Sequence, residues 1–243
     1  MDCKRLIMKS YRTDISNRAI LSKDMKIIEL IDVDYRLLSI FQRLDIQLPY
    51  GDISLEEVCR KYDMSVELFL MICRIYIEAD CMPDTSSLRV KDMSYLLQYL
   101  RASHRYYIET LIPKIAGGIE QVLQLCAESQ RAILQRFYLG YIEEVKAHLQ
   151  YEEIEMFPYV ERVISGEVVT DKAMCDFVDN HTDVCDKIDD IKSIVIKYLP
   201  ESCTTRQRCD LLFDIFALSD ELAKHTMLEM GILAPVVINA ERR

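Results

Sequence analysis

Between Met25 and Leu44 the apolar residues Ile27, Ile28, Ile31, Tyr35, Leu38 and Phe41 recur at the spacing of one helix face. Gln47-Leu48-Pro49-Tyr50-Gly51-Asp52 interrupts that pattern. Ser54-Leu55-Glu56-Glu57 restarts it, with Ser at the N-cap and Glu three residues on, the signature of a capping box. A further stripe of Leu68, Phe69, Ile72, Ile75 and Tyr76 follows Ser65. These stretches predict a small helical module over residues 25–82, after a polar segment of mixed charge at 1–24. Met82-Pro83-Asp84-Thr85-Ser86-Ser87 reads as a linker. Beyond it Leu96, Leu97, Leu100, Tyr107, Ile108, Leu111 and Ile112 form another stripe, and similar ones run through 131–163, 172–198 and 208–233. Four long amphipathic segments joined by short breaks predict an all-α fold, an up-down-up-down four-helix bundle over residues 88–240.

Composition narrows the class. The chain has 243 residues, half of them apolar, enough for one large domain or an ordinary one with a small companion. Only 6 Gly and 6 Pro leave little material for the turns of an all-β protein. Charged residues make up 29% and no apolar run approaches the roughly 20 residues of a membrane span. A net charge of −10 argues against a nucleic-acid binder. Ser54–Tyr76 has the length of a helix-turn-helix, but Glu56, Glu57, Asp63 and Glu67 offset Arg60, Lys61 and Arg74 there. The 9 cysteines are odd in number and include no CxxC pair, which reads as reduced thiols of a cytoplasmic protein. The first residues lack the continuous apolar run of a signal peptide.

The candidate chemistry lies in the histidines, of which there are 4. His104 and His148 are 44 residues apart, as are His181 and His225, so corresponding members are separated by 77. His148 and His225 each open an HxxxE motif, with Glu152 and Glu229, and each has a proline ten residues on. One helical hairpin is thus written twice. Two residues on antiparallel helices share a level when the turn lies midway between them. The midpoints are residues 126 and 203. The second coincides with the helix stop at Leu199-Pro200-Glu201-Ser202. The first requires Gly117 and Gly118 to lie inside a helix, where they would allow close packing. Pro113 is expected to kink that helix.

In HxxxE both side chains share one helix face. Four imidazoles and two carboxylates would then meet at one level of the core. Buried carboxylates are unfavourable unless compensated, and metal cations compensate them. Four nitrogens with two bridging carboxylates supply roughly eight bonds, which suits two six-coordinate ions sharing an oxo or hydroxo bridge, with about one open position each. Mixed imidazole and carboxylate ligation suits iron, and zinc or manganese can occupy the same ligands. Tyr107 and Tyr151 are expected in the core or just outside the ligands. Glu144, one turn before His148, is either a solvated or helix-pairing group or part of a proton path.

His104-Arg105 with Leu111-Ile112-Pro113, His148 with Glu152-Glu153 and Phe157-Pro158, Asn180-His181, and His225 with Glu229 and Pro235 resemble the hemerythrin-like cation-binding domain. The version with four His and two Glu looks like the di-iron proteins that repair iron centres. The likeness covers about 93–236, and the module at 25–80 is similar to that family's small N-terminal domain, whose pattern Phe41-Gln42-Arg43-Leu44 through Gly51 and Ser54-Leu55-Glu56-Glu57-Val58-Cys59 follow. The family's adjacent cysteine pair falls on Pro49 and Tyr50, and its acidic residue before the third histidine is Asn180 here. The resemblance implies two iron ions held by His104, His148, Glu152, His181, His225 and Glu229. It implies binding or reduction of nitric oxide or dioxygen under nitrosative or oxidative stress, and support for recovery of damaged iron–sulfur proteins, in a monomer or homodimer. A non-catalytic sensor of the same diatomic gases is the alternative.

Overall fold

The computed structural model describes residues 21–47, 51–78, 83–167, 169, 173–180 and 186–241. The chain divides into two compact units, Met1–Cys81 and Met82–Arg243. The described residues are helical throughout, with a single isolated bridge between Lys26 and Ser54 and no strands.

The first unit contains α1 (Ile27–Val33), α2 (Leu38–Arg43), α3 (Leu55–Lys61) and α4 (Val66–Ile77). The capping box at Ser54 forms: its hydroxyl accepts from the Glu57 amide, and the Glu57 carboxylate accepts from the Ser54 amide. The continuous helix expected over 25–44 does not form. Asp34 adopts an extended conformation and its carboxylate accepts from the Arg36 amide at 2.9 Å, so helix restarts after it through a short tight turn. The break changes which residues face inward. Ile28, Tyr35 and Leu38 are exposed, while Ile27, Leu30, Leu37, Ile40 and Phe41 are buried. Residues 21–26 pack with this unit: Leu21 is buried, the Met25 carbonyl accepts from Leu55, and Lys23 pairs with Glu56.

The second unit contains α5 (Met93–Tyr106), α6 (Ile112–Leu123), α7 (Glu128–Tyr151), α8 (Phe157–Ile164), α9 (Ala173–Asn180), α10 (Asp186–Lys197), α11 (Thr205–Leu228) and α12 (Ala234–Glu241). Here α6 packs on α7 and α11, and α10 packs on the same two helices. Their shared core includes Ile115, Ile119, Leu134, Tyr138, Ile191 and Leu211. Gly117 and Gly118 lie inside α6, and the first turn falls at residues 124–127.

The 77-residue register governs this unit in detail. α7 and α11 are both 24 residues long, begin 77 residues apart and end 77 residues apart. Each opens with a glutamine three residues after its N-cap: Gln130 accepts from the Ala127 amide and Gln207 from the Thr204 amide. Each is preceded by a turn whose carbonyls are gathered by one arginine. Arg131 donates to the Leu123 and Cys126 carbonyls, and Arg208, 77 residues on, donates to those of Pro200 and Cys203. Cys126 and Cys203 are both buried and, with Cys59, Cys73, Cys175 and Cys209, carry free thiols.

Instead of a simple kink at Pro113, the helices widen. Tyr107–Leu111, Glu152–Met156 and Glu229–Leu233 are each five residues of π-helix. In each the residue before a proline donates five residues back: Ile112 to Tyr107, Phe157 to Glu152 and Ala234 to Glu229. Proline has no N–H and its ring would strike the carbonyl four residues earlier in an α-helix. One extra residue in the turn moves that carbonyl aside.

A Cβ on Gly118 would lie 3.0 Å from Leu211 Cδ1, whereas one on Gly117 would meet nothing within 4 Å. Gly117→Ala should therefore stabilise the protein by about 1 kcal/mol, the ordinary helix preference for alanine. Gly118→Ala should gain distinctly less, because Leu211 on α11 must give way. Urea unfolding of the two variants checks the difference.

Candidate metal centre

Three described helices deliver polar side chains into the core at one place. His104 lies on the last turn of α5, His148 on that of α7 and His225 on that of α11. Glu152 and Glu229 are the first residues of the π turns that follow α7 and α11. Both glutamates are wholly buried, at 0% exposure, and His104 and His225 are buried beside them. His181 lies outside the described residues.

Glu152 is the hub. Its Oε2 is 3.0 Å from His104 Nε2 and 3.3 Å from His225 Nε2, and its Oε1 is 2.7 Å from His148 Nε2. Glu229 Oε1 is 3.2 Å from His225 Nε2. His104 Nε2 and His225 Nε2 are themselves 3.2 Å apart. Two overlapping sets of ligating atoms result: His104, Glu152 and His225, and His148, Glu152 and Glu229. Within each set the atoms lie within 4.8 Å of one another. Glu152 is common to both sets, with Oε2 toward His104 and His225 and Oε1 toward His148. This buried His/Glu group can hold a metal ion.

The electrostatics agree with a cationic occupant. Burial opposes charge on His225, but Glu229 and Glu152 outweigh it and raise its pKa to about 10. The same contest raises His148, where burial acts against its hydrogen bond to Glu152. Burial pushes Glu152 upward, yet His104, His148 and His225 together hold it well below the usual carboxylate range. Lys224, buried one residue before His225, is engaged by Asp220. Positive charge at the centre must come from imidazolium protons or from a metal ion that displaces them. The tautomer of His104 sharpens this requirement. Its Nδ1 is 2.7 Å from Glu153 Oε1, which as a carboxylate only accepts. Nε2 faces Glu152 and His225, where it either donates a second proton to the Glu152 carboxylate or offers a lone pair to a cation.

Other expected residues fall into place around the cluster. Tyr107 is buried, meets His225 edge to face at 5.9 Å and donates to the Glu221 carbonyl at 3.1 Å. Tyr151 is exposed and stacks on Phe177, away from the core position expected for it. Glu144 pairs with Lys187 on the surface rather than serving the cluster. Sequence reasoning did not find Arg101, which donates to Glu153 at 3.2 Å and lies over the Phe157 ring at 5.5 Å. Phe157 in turn stacks on His104, with centroids 5.2 Å apart. The only sequence signals were the doubled glutamate at 152–153 and an arginine one helical turn before His104.

No protein-family model matches the chain, and no curated protein matches it significantly.

Glu152→Ala removes the group common to both ligand sets. Bound divalent metal should fall below about a tenth of the wild-type amount, since one neutral set no longer balances the charge. Tyr151→Ala, one residue away on the exposed face, should leave it unchanged. Elemental analysis after gel filtration reads both.

Proposed function

We propose that the second unit is a hemerythrin-like four-helix bundle carrying two iron ions, and that the protein acts on nitric oxide or dioxygen under nitrosative or oxidative stress. The observation that supports it most is Glu152, wholly buried and shared by two sets of ligating atoms. The ligands in this reading are His104, His148, Glu152, His181, His225 and Glu229, with both glutamates bridging. Non-haem iron at such a centre supplies electrons and an open position for a small diatomic molecule. The chain's own residues do the rest. Glu152 and Glu229 set the charge of the centre. Tyr107, Phe157 and the apolar core around the histidines keep bulk water out, so small neutral molecules enter more readily than ions. A role in the recovery of damaged iron–sulfur proteins, by iron delivery or by removal of the damaging gas, follows from the resemblance of the motifs.

A second reading is a sensor that binds the same gases without turnover. It is favoured by Pro49 and Tyr50, which stand where the resembled family has its cysteine pair, so thiol chemistry at that place is missing. Both residues lie outside the described ones. No described helix is long and apolar enough to cross a membrane.

Mixing the anaerobically reduced, iron-loaded protein with excess nitric oxide in a stopped-flow instrument separates the readings. The first expects consumption of several equivalents per chain with reductant present, and the second expects saturation after stoichiometric binding. Absence of bound iron after anaerobic reconstitution would remove both.

A further inference from the structure

Outside the ligands, one chain of contacts leads from the cluster to the surface. His104 Nδ1 meets Glu153 Oε1 at 2.7 Å. Glu153 Oε2 accepts from Arg101 Nε at 3.2 Å, and Arg101 Nη1 donates to Glu161 Oε1. The Arg101 guanidinium also covers one face of Phe157, whose ring stacks on His104 with 17° between planes. The imidazole is therefore fixed in two ways: a carboxylate sets which nitrogen carries the proton, and an aromatic ring sets the plane. Arg101 contributes to both restraints. It is 30% exposed and Glu153 36% exposed, so neither is there to fill the core.

We propose that Glu153 is the positioning residue of His104, that Arg101 holds Glu153 in that role, and that together they aim Nε2 at the bridging carboxylate. The proposal rests on the reading of the cluster as a metal centre, but not on what the centre does. An imidazole whose far nitrogen donates to a carboxylate is a better ligand, because its tautomer is settled before the metal arrives and its basicity is raised. Without Glu153 the ring can carry its proton on Nε2, facing Glu152, and must lose it to bind a cation.

The test uses the full-length protein and three variants: Glu153→Ala, Glu153→Gln and Arg101→Leu. Cobalt(II) serves as the probe, since its visible absorption reports the ligand set. Glu153→Ala should weaken cobalt binding roughly 10- to 100-fold. Glu153→Gln keeps an acceptor oxygen for Nδ1–H and should restore most of that loss. Arg101→Leu should fall between the two. Urea midpoints measured alongside show whether each variant is folded. Histidine nitrogen NMR of the metal-free protein supplies a readout that needs no metal. His104 should carry its proton on Nδ1 in the wild type and in Glu153→Gln, and should shift toward Nε2 in Glu153→Ala. Unchanged cobalt affinity together with an unchanged His104 tautomer in Glu153→Ala overturns the positioning role while leaving the metal centre intact. Failure of the wild type to bind cobalt overturns the metal centre itself.

Discussion

Two carboxylates fully withdrawn from water are the constraint around which the second unit is organised. Burying an ionised carboxylate costs several kcal/mol unless strong partners surround it. Glu152 and Glu229 are at 0% exposure, and the groups nearest them are the imidazoles of His104, His148 and His225. A neutral imidazole with its lone pair facing a carboxylate does not relieve that cost; an imidazolium or a shared cation does. The core of Ile115, Leu134, Tyr138, Ile191 and Leu211 dilutes no charge, so compensation has to occur within the cluster.

The same constraint explains the backbone around it. An α-helix places residues four apart on one face, which suffices to bring His148 to Glu152 and His225 to Glu229. In each case the chain turns π at the glutamate and meets a proline six residues later. The proline makes an uninterrupted α-helix unfavourable at that level, and the wide turn accommodates it without ending the helix. Buried glutamate, wide turn and proline thus form one local unit, present after α7 and α11 and, with Tyr107 in the glutamate's place, after α5.

This accounts for what could be read from sequence. Helical type, the turns near 126 and 203, the cap at Ser54 and the meeting of His104, His148, Glu152, His225 and Glu229 all follow from spacing, because i to i+4 geometry and hairpin midpoints are rigid rules. Three things were not legible. Asp34 competes with the helix through its own side chain, and that local hydrogen bond overrode a stripe that looked continuous. The form of the break at Pro113 depended on whether the turn before it could widen. The pairing of Arg101 with Glu153 joins α5 to the π turn after α7 across 52 residues, a tertiary contact with no periodic signature.

The duplicated hairpin separates what both halves require from what one half adds. Features that fix helix ends and level recur at 77 residues: Gln130 and Gln207, Arg131 and Arg208, Cys126 and Cys203, His148 and His225, Glu152 and Glu229, Pro158 and Pro235. The brace on His104 does not recur. Met230 stands where Glu153 would be repeated, Ala234 for Phe157 and Val178 for Arg101. Arg101 and Glu153 both reach solvent at one end, and Met230 is half-buried as Glu153 is, but the exposed Val178 at the place of Arg101 offers a carboxylate there no cation. An unpartnered carboxylate at 230 would add a third negative charge to a region that already holds two without water. The brace is therefore absent from the second half as a whole: carboxylate, arginine and aromatic ring are replaced together by Met230, Val178 and Ala234.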